Sequence, residues 1–120
     1  MKIAITSQGK TLQSAVDPRF GRAKYFIVID SETAEFKAVD NAVNLQAAQG
    51  AGIQTGRAVA ELGVEAVITG NVGPKAFSVL NAAGIKIYLG ASGTVEQAFA
   101  QFKQGALQET EGANVKGHWM

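Results

Sequence analysis

The first forty residues pattern as strands, two alternating and one continuously apolar, and beyond them apolar positions recur at helical spacing. Lys2-Ile3-Ala4-Ile5-Thr6-Ser7 is β-branched and alternating, which predicts strand one. Residues 8–24 are polar and basic and form a loop. Tyr25-Phe26-Ile27-Val28-Ile29-Asp30 is a strongly apolar strand two. Ser31-Glu32-Thr33 makes a turn, and Glu35-Phe36-Lys37-Ala38-Val39-Asp40 alternates as strand three. The short polar connection makes strands two and three an antiparallel hairpin.

Beyond Asp40 the period changes. A small-residue loop from Asn41 to Ala51 leads into a helix reaching Leu62. Ile53, Gly56, Val59, Ala60 and Leu62 line one side of it, and Gly63 is placed to end it. Glu65-Ala66-Val67-Ile68-Thr69 is strand four. Gly73-Pro74 opens the next helix with proline at its first position. Phe77, Leu80 and Ala83 face inward there, and Gly84 stops it. Ile85-Lys86-Ile87-Tyr88-Leu89 is strand five. Thr94-Val95-Glu96-Gln97 reads as a capping box, followed by the apolar stripe Val95, Ala98, Phe99 and Phe102 and a stop at Gly105. Residues 1–105 make one domain. Residues 106–120 read as a polar tail, with the flexibility usual of chain ends.

The order β-β-β-α-β-α-β-α predicts an α/β fold, with a mixed sheet in the order 3-2-1-4-5, strand two antiparallel, and helices on both faces. The loop at 8–24 then hangs over the C-terminal edge of the parallel strands. Three helix starts, near Gly52, Gly73 and Thr94, offer free amides on the same edge. Ligands of open α/β sheets bind where the strand order reverses, here between strands one and four. The expected walls are Thr6 to Lys10 and Gly70 to Lys75.

Composition narrows the function. The chain has 120 residues, 47% of them hydrophobic and 18% charged, which fits one globular domain. A net charge of +1 is too small to argue for nucleic acid or a membrane surface. No cysteine is present, which excludes disulfides, thiolate zinc sites and protein-ligated iron–sulfur clusters. No charged segment with an apolar run precedes strand one, so no signal peptide is expected, and no apolar run approaches the ~20 residues of a membrane span. The expected location is the cytoplasm.

Positive charge must therefore come from local clustering. Lys10, Arg19, Arg22 and Lys24 stand against Asp17 alone in the first loop, and residues 66–95 hold Lys75 and Lys86 but no acid. Asp17-Pro18-Arg19-Phe20-Gly21-Arg22-Ala23-Lys24 suits the gripping of an anion, because the arginine fork matches oxyanion or sulfide surfaces and glycine permits close approach. The same charges also read as ordinary solvated loop residues. Gly50-Ala51-Gly52-Ile53-Gln54-Thr55-Gly56 hints at a dinucleotide loop, but its GxGxxxG spacing fits helix packing better. Gly70-Asn71-Val72-Gly73-Pro74-Lys75 falls short of a nucleotide P-loop, and Pro74 removes one amide donor. Catalytic equipment is thin: His118 is the sole histidine, Asp30 lies at the opposite edge, and Asp40 reads as a cap or turn. The terminal His118-Trp119-Met120 groups soft, copper-tolerant or stacking side chains, which read either as a loose end or as a cover over a ligand.

The series Asp17-Pro18-Arg19-Phe20-Gly21-Arg22-Ala23, Gly50-Ala51-Gly52-Ile53, Ile68 through Phe77, Ala83-Gly84-Ile85-Lys86 and Gly93-Thr94-Val95 resembles the dinitrogenase iron–molybdenum cofactor-binding family, which includes NifX, the C-terminal part of NifB and NafY. The short stand-alone form and the terminal Gly117-His118-Trp119 look most like the orange-protein branch of sulfate-reducing bacteria. The resemblance implies a ribonuclease-H-like, three-layer α/β/α fold with a five-stranded mixed sheet. It also implies non-covalent binding of a metal–sulfur cluster, iron–molybdenum cofactor in one branch and a molybdenum–copper sulfide in the other, for carriage or assembly without turnover. Carriers that use Cys or a core His as ligand differ from this chain, which favours a preformed anionic cluster held by charge, amides and an apolar wall.

On that reading Arg19, Arg22 and Lys75 supply charge, and amides near Asn71 and Gly73 donate to sulfides. Phe20 and Val72 exclude water, Gly21 and Pro74 shape the turns, and His118 and Trp119 close over the top. No catalytic residue and no protein–metal ligand is assigned. The partners expected are the inorganic cluster and proteins of a cytoplasmic complex, with neither nucleic acid nor membrane. Two other classes stay open. A nucleotide or phosphate hydrolase on a ribonuclease-H-like frame would need acids where Thr6-Ser7 and Thr69-Gly70 stand. A regulatory module would bind a protein partner through the same edge.

Overall fold

The computed structural model describes residues 1–45 and 51–112. Its sheet is built around β1 (Lys2–Ser7), whose residues from Ile3 onward are buried. A strand covered on both faces needs this unbroken burial. β2 (Tyr25–Asp30) pairs antiparallel with β1, from Lys2↔Asp30 to Ser7↔Tyr25, and β3 (Phe36–Asp40) pairs antiparallel with β2. On the other side β4 (Ala66–Ile68) and β5 (Lys86–Leu89) follow in parallel. β6 (Gln108–Glu109) closes the sheet antiparallel to β5, giving the order β3-β2-β1-β4-β5-β6.

The first five strands stand in the predicted order. β6 falls in the stretch read as tail. Its two residues are polar and exposed and carry no periodicity of their own. They are held by pairing with Tyr88 and Leu89, and by the Thr110 amide donating to the Ile87 carbonyl at 2.8 Å. A short helix, α1 (Ala42–Leu45), also replaces part of the predicted loop. Asp40 starts it by accepting the Ala42 amide at 2.7 Å, the capping role read for that residue.

Two apolar layers flank the sheet. α2 (Ala51–Glu61) and α3 (Pro74–Ala82) cover one face, where Ala4, Phe26, Val28, Val67 and Ile87 meet Val59, Ala76 and Leu80. α4 (Val95–Lys103) covers the other, where Ile3, Ile5, Ile27, Ile29 and Ile68 meet Val95 and Ala98. The inward stripe of α3 is Ala76 and Leu80, with Phe77 half-buried against the same core as expected; Ala83, expected to face inward, is exposed. Gly56 does serve helix packing, since a Cβ there would lie 3.2 Å from Val79. Gly50 lies outside the described residues. Behind α2, α3 and α4 stand Gly63, Gly84 and Gly105, with φ of 73°, 76° and 73°. Only glycine adopts this left-handed geometry without strain, and it returns the chain to the sheet. Among the described residues no helix is long and apolar enough to cross a membrane.

Candidate functional site at the strand-end edge

The 8–24 loop is hydrogen-bonded along its length. Its first half lies along the start of α4: Val16 donates to the Gly93 carbonyl, while Val95 and Glu96 donate to the carbonyls of Ser14 and Leu12, each at 2.9 Å. Thr94 accepts the Gln97 amide at 3.1 Å and Gln97 accepts the Thr94 amide at 2.9 Å, completing the predicted capping box. The amides expected to be free at this helix start are therefore claimed.

The second half crosses the ends of β1 and β4. Arg19 and Asn71 form a parallel bridge. The Asn71 amide donates to the Pro18 carbonyl at 2.8 Å, and the Phe20 amide to the Asn71 carbonyl at 3.2 Å. The switch point between β1 and β4 is thus filled by Asp17 to Phe20, where an open crevice between Thr6–Lys10 and Gly70–Lys75 was expected. Gly70 makes this possible, because a Cβ there would lie 2.8 Å from the Pro18 oxygen. A single 3₁₀ turn, Phe20–Arg22, then carries the chain back to β2.

Beneath the loop sits a polar layer that sequence reasoning missed. The Thr6 hydroxyl donates to the Asp17 carbonyl at 2.7 Å and lies 2.9 Å from the Thr69 hydroxyl. A hydroxyl has one proton, so Thr69 supplies the second contact. The Asp17 carboxylate accepts the Arg19 amide at 3.0 Å. Burial pushes the Asp17 carboxyl above its ordinary value, against the pull of that amide and of the Arg19 and Lys24 charges. At the far end of the loop, Asn41 donates to the Ala23 carbonyl at 2.8 Å and to the Thr55 hydroxyl at 3.2 Å.

The predicted site residues divide. Arg19, Arg22, Pro74 and Lys75 are exposed at this edge. α3 has Gly73 as its N-cap and no side-chain cap, so the amides of Lys75 and Ala76 lack intrahelical acceptors. At this helix start Lys75 is exposed while Gly73 and Ala76 are buried; the start of α2 adjoins residues outside the described set. Phe20 and Val72, expected to exclude water from a ligand, are both fully buried, with Phe20 packed on Phe26 at 5.5 Å between ring centroids, where they anchor the loop to the core. Gly21 is buried beside Phe20. The Asn71 amide, expected among the donors, is given to the Pro18 carbonyl. Lys86 pairs with Ala66 at the start of the parallel strands, the opposite edge from Arg19. Lys10 stands over the Tyr25 ring, 5.6 Å from its centroid. His118 and Trp119 lie outside the described residues.

The far side of Asn71 is acidic. Gly70, Asn71, Leu89 and Gly90 border an open cleft of about 660 Å³ with Gln108, Glu109, Thr110 and Glu111. β6 thus sets carboxylates on one flank of Asn71 and Arg19 on the other. Among the described residues no three His, Cys, Asp or Glu side chains group to hold a metal ion. With no cysteine in the chain, these donors fit an anion held through charge and amides.

Fold and edge chemistry together define a three-layer α/β/α domain whose strand-end edge is made of hydroxyls, peptide groups and exposed cations. The chain belongs to the dinitrogenase iron-molybdenum cofactor family, whose model matches residues 1–105. The apo form of the orange protein from Desulfovibrio gigas shares 42% identity, with a TM-score of 0.92 over 95% of this chain and 96% of that one. A NifB-like protein from Thermotoga shares 40% identity, with a TM-score of 0.83 over 97% and 98% of the two chains. An uncharacterized protein of Methanocaldococcus jannaschii is 31% identical over 114 residues, 92% of either chain. The family read from the motifs is therefore the right one.

Proposed function

We propose that the protein captures a preformed, anionic, molybdenum-containing metal–sulfur cluster on the Arg19 flank of this edge and carries it, or presents it for assembly, without turnover. Arg19, Arg22 and Lys75 supply the charge, and the exposed start of α3 at Lys75 adds its peptide amide and the positive end of the helix. The observation that carries the reading is the Arg19–Asn71 junction, a main-chain pairing that fixes the backbone bearing the exposed Arg19 side chain against the turn that leads into α3. The family description supports iron–molybdenum cofactor or a precursor as cargo. The likeness to the orange protein favours a molybdenum–copper sulfide. The setting proposed is the cytoplasm, with client proteins receiving or delivering the cluster.

Anaerobic reconstitution with tetrathiomolybdate and cuprous ion tests this. A visible chromophore that stays with the protein through desalting, with molybdenum and copper in fixed ratio, is the expected result. Loss of all colour and metal on desalting, with iron–molybdenum cofactor equally unretained, would overturn it.

A further inference from the structure

We infer that Asp17 and Asn41 are positioning residues for this capture: two buried polar bolts, one at either end of the 17–24 segment, set Arg19 and Arg22 in place before cargo arrives. The inference rests on the reading above.

Polar burial in this protein is concentrated at the loop. Among the described residues the buried polar or charged side chains are Thr6, Ser7, Asp17, Asn41, Thr55 and Thr69. Thr6, Thr69 and Asp17 form the first bolt, and Asn41 and Thr55 the second. Ser7 ties the start of the same loop by exchanging hydrogen bonds with Gly9. No buried side-chain nitrogen or oxygen among the described residues lacks a partner. Burying polar groups is unfavourable unless every one is matched, and an apolar filling would stabilise a core as well. What matched polar groups add is a single defined geometry. Each bolt grips main chain: Asp17 takes the Arg19 amide, and Asn41 takes the Ala23 carbonyl next to Arg22. Asn41 also receives the Asn44 amide group at 2.7 Å and donates its own amide to Lys24 at 2.9 Å, so the second bolt joins β3, α1, α2 and the loop. Both arginine side chains remain exposed above these anchors. Preorganised charge binds more tightly than charge that must first be ordered.

The test compares Asp17→Ala, Asp17→Asn and Asn41→Ala with the wild-type chain in two readouts. One is affinity for the tetrathiomolybdate–copper chromophore. The other is amide hydrogen exchange of the cargo-free protein. Losing a hydrogen bond to the buried Asp17 carboxylate, or leaving the buried partners of Asn41 unmatched, corresponds to about tenfold in either readout. The expected result is weaker chromophore binding by about that factor in Asp17→Ala and Asn41→Ala, with faster exchange confined to residues 17–24 and 71. Asp17→Asn keeps an oxygen acceptor and should recover affinity to within about twofold of wild type. Folded Asp17→Ala that binds like wild type overturns the inference and leaves the capture reading intact. If the wild-type chain takes up no chromophore, the capture reading fails, and exchange alone decides the bolts: unchanged protection at Arg19 in Asp17→Ala rejects them. If Asp17→Ala does not fold while folded Asp17→Asn binds like wild type and folded Asn41→Ala binds about tenfold more weakly, the inference holds.

Discussion

Gly70 approaches Pro18 so closely that a methyl group on it would lie 2.8 Å from the Pro18 oxygen and 2.9 Å from its Cα. Both are backbone atoms and cannot rotate aside. Gly70→Ala should therefore lift the Asp17–Phe20 segment off the turn before α3, at a cost of about 1–3 kcal/mol. Chemical denaturation gives the stability, and chromophore uptake should fall with it. A fully stable variant would show that the junction has slack.

Asp17 and Asp30 should bend the pH dependence of stability in opposite directions. Burial raises the Asp17 carboxyl above 3.8, so the folded state binds that proton more tightly than the unfolded chain. Asp17 therefore subtracts stability at neutral pH and restores it as pH falls through its raised folded value. Asp30 accepts the Glu32 and Thr33 amides and is lowered, so its contribution is present above 3.8 and is lost as pH falls through its folded value. Asp17→Asn should melt higher than wild type at neutral pH, with the gap closing in acid. A lower melting temperature at neutral pH would contradict this.

Thr94→Ala separates stability from function. The capping box lies under the first half of the loop, on the α4 side. Removing the Thr94 hydroxyl should cost about 1 kcal/mol and leave chromophore affinity unchanged. Parallel melting and titration experiments check both parts.

Local chemistry made much of the fold legible. The alternation of Lys2–Ser7, the apolar run Tyr25–Asp30, Pro74 at a helix start, the Thr94–Gln97 box and glycines 63, 84 and 105 each encode their element within a few residues. What stayed hidden depends on partners distant in sequence. Phe20 and Val72 were expected to exclude water from a ligand because they sit among exposed cations and turn residues in sequence; the packed core buries both. The Asn71 amide and the α4 amides looked free because their acceptors, Pro18, Ser14 and Leu12, arrive from another part of the chain. β6 is defined, among the described residues, by its pairing with β5. The Thr6–Asp17–Thr69 layer had one legible trace, polar residues ending two otherwise apolar central strands.

Exposed cations imply salt sensitivity. Chromophore affinity should weaken steadily as ionic strength shortens the Debye length from roughly 10 Å at 0.1 M towards 3 Å at 1 M. Titration across added sodium chloride measures it. Salt-independent affinity would point to direct metal ligation instead.

The most direct measurement is reconstitution of the Arg19→Ala/Arg22→Ala double variant with tetrathiomolybdate and copper, beside wild type, under anaerobic conditions. Removing both guanidinium groups should abolish stable colour while the melting temperature stays near that of wild type, because both side chains are exposed. A double variant that holds the chromophore as firmly as wild type would contradict capture by charge.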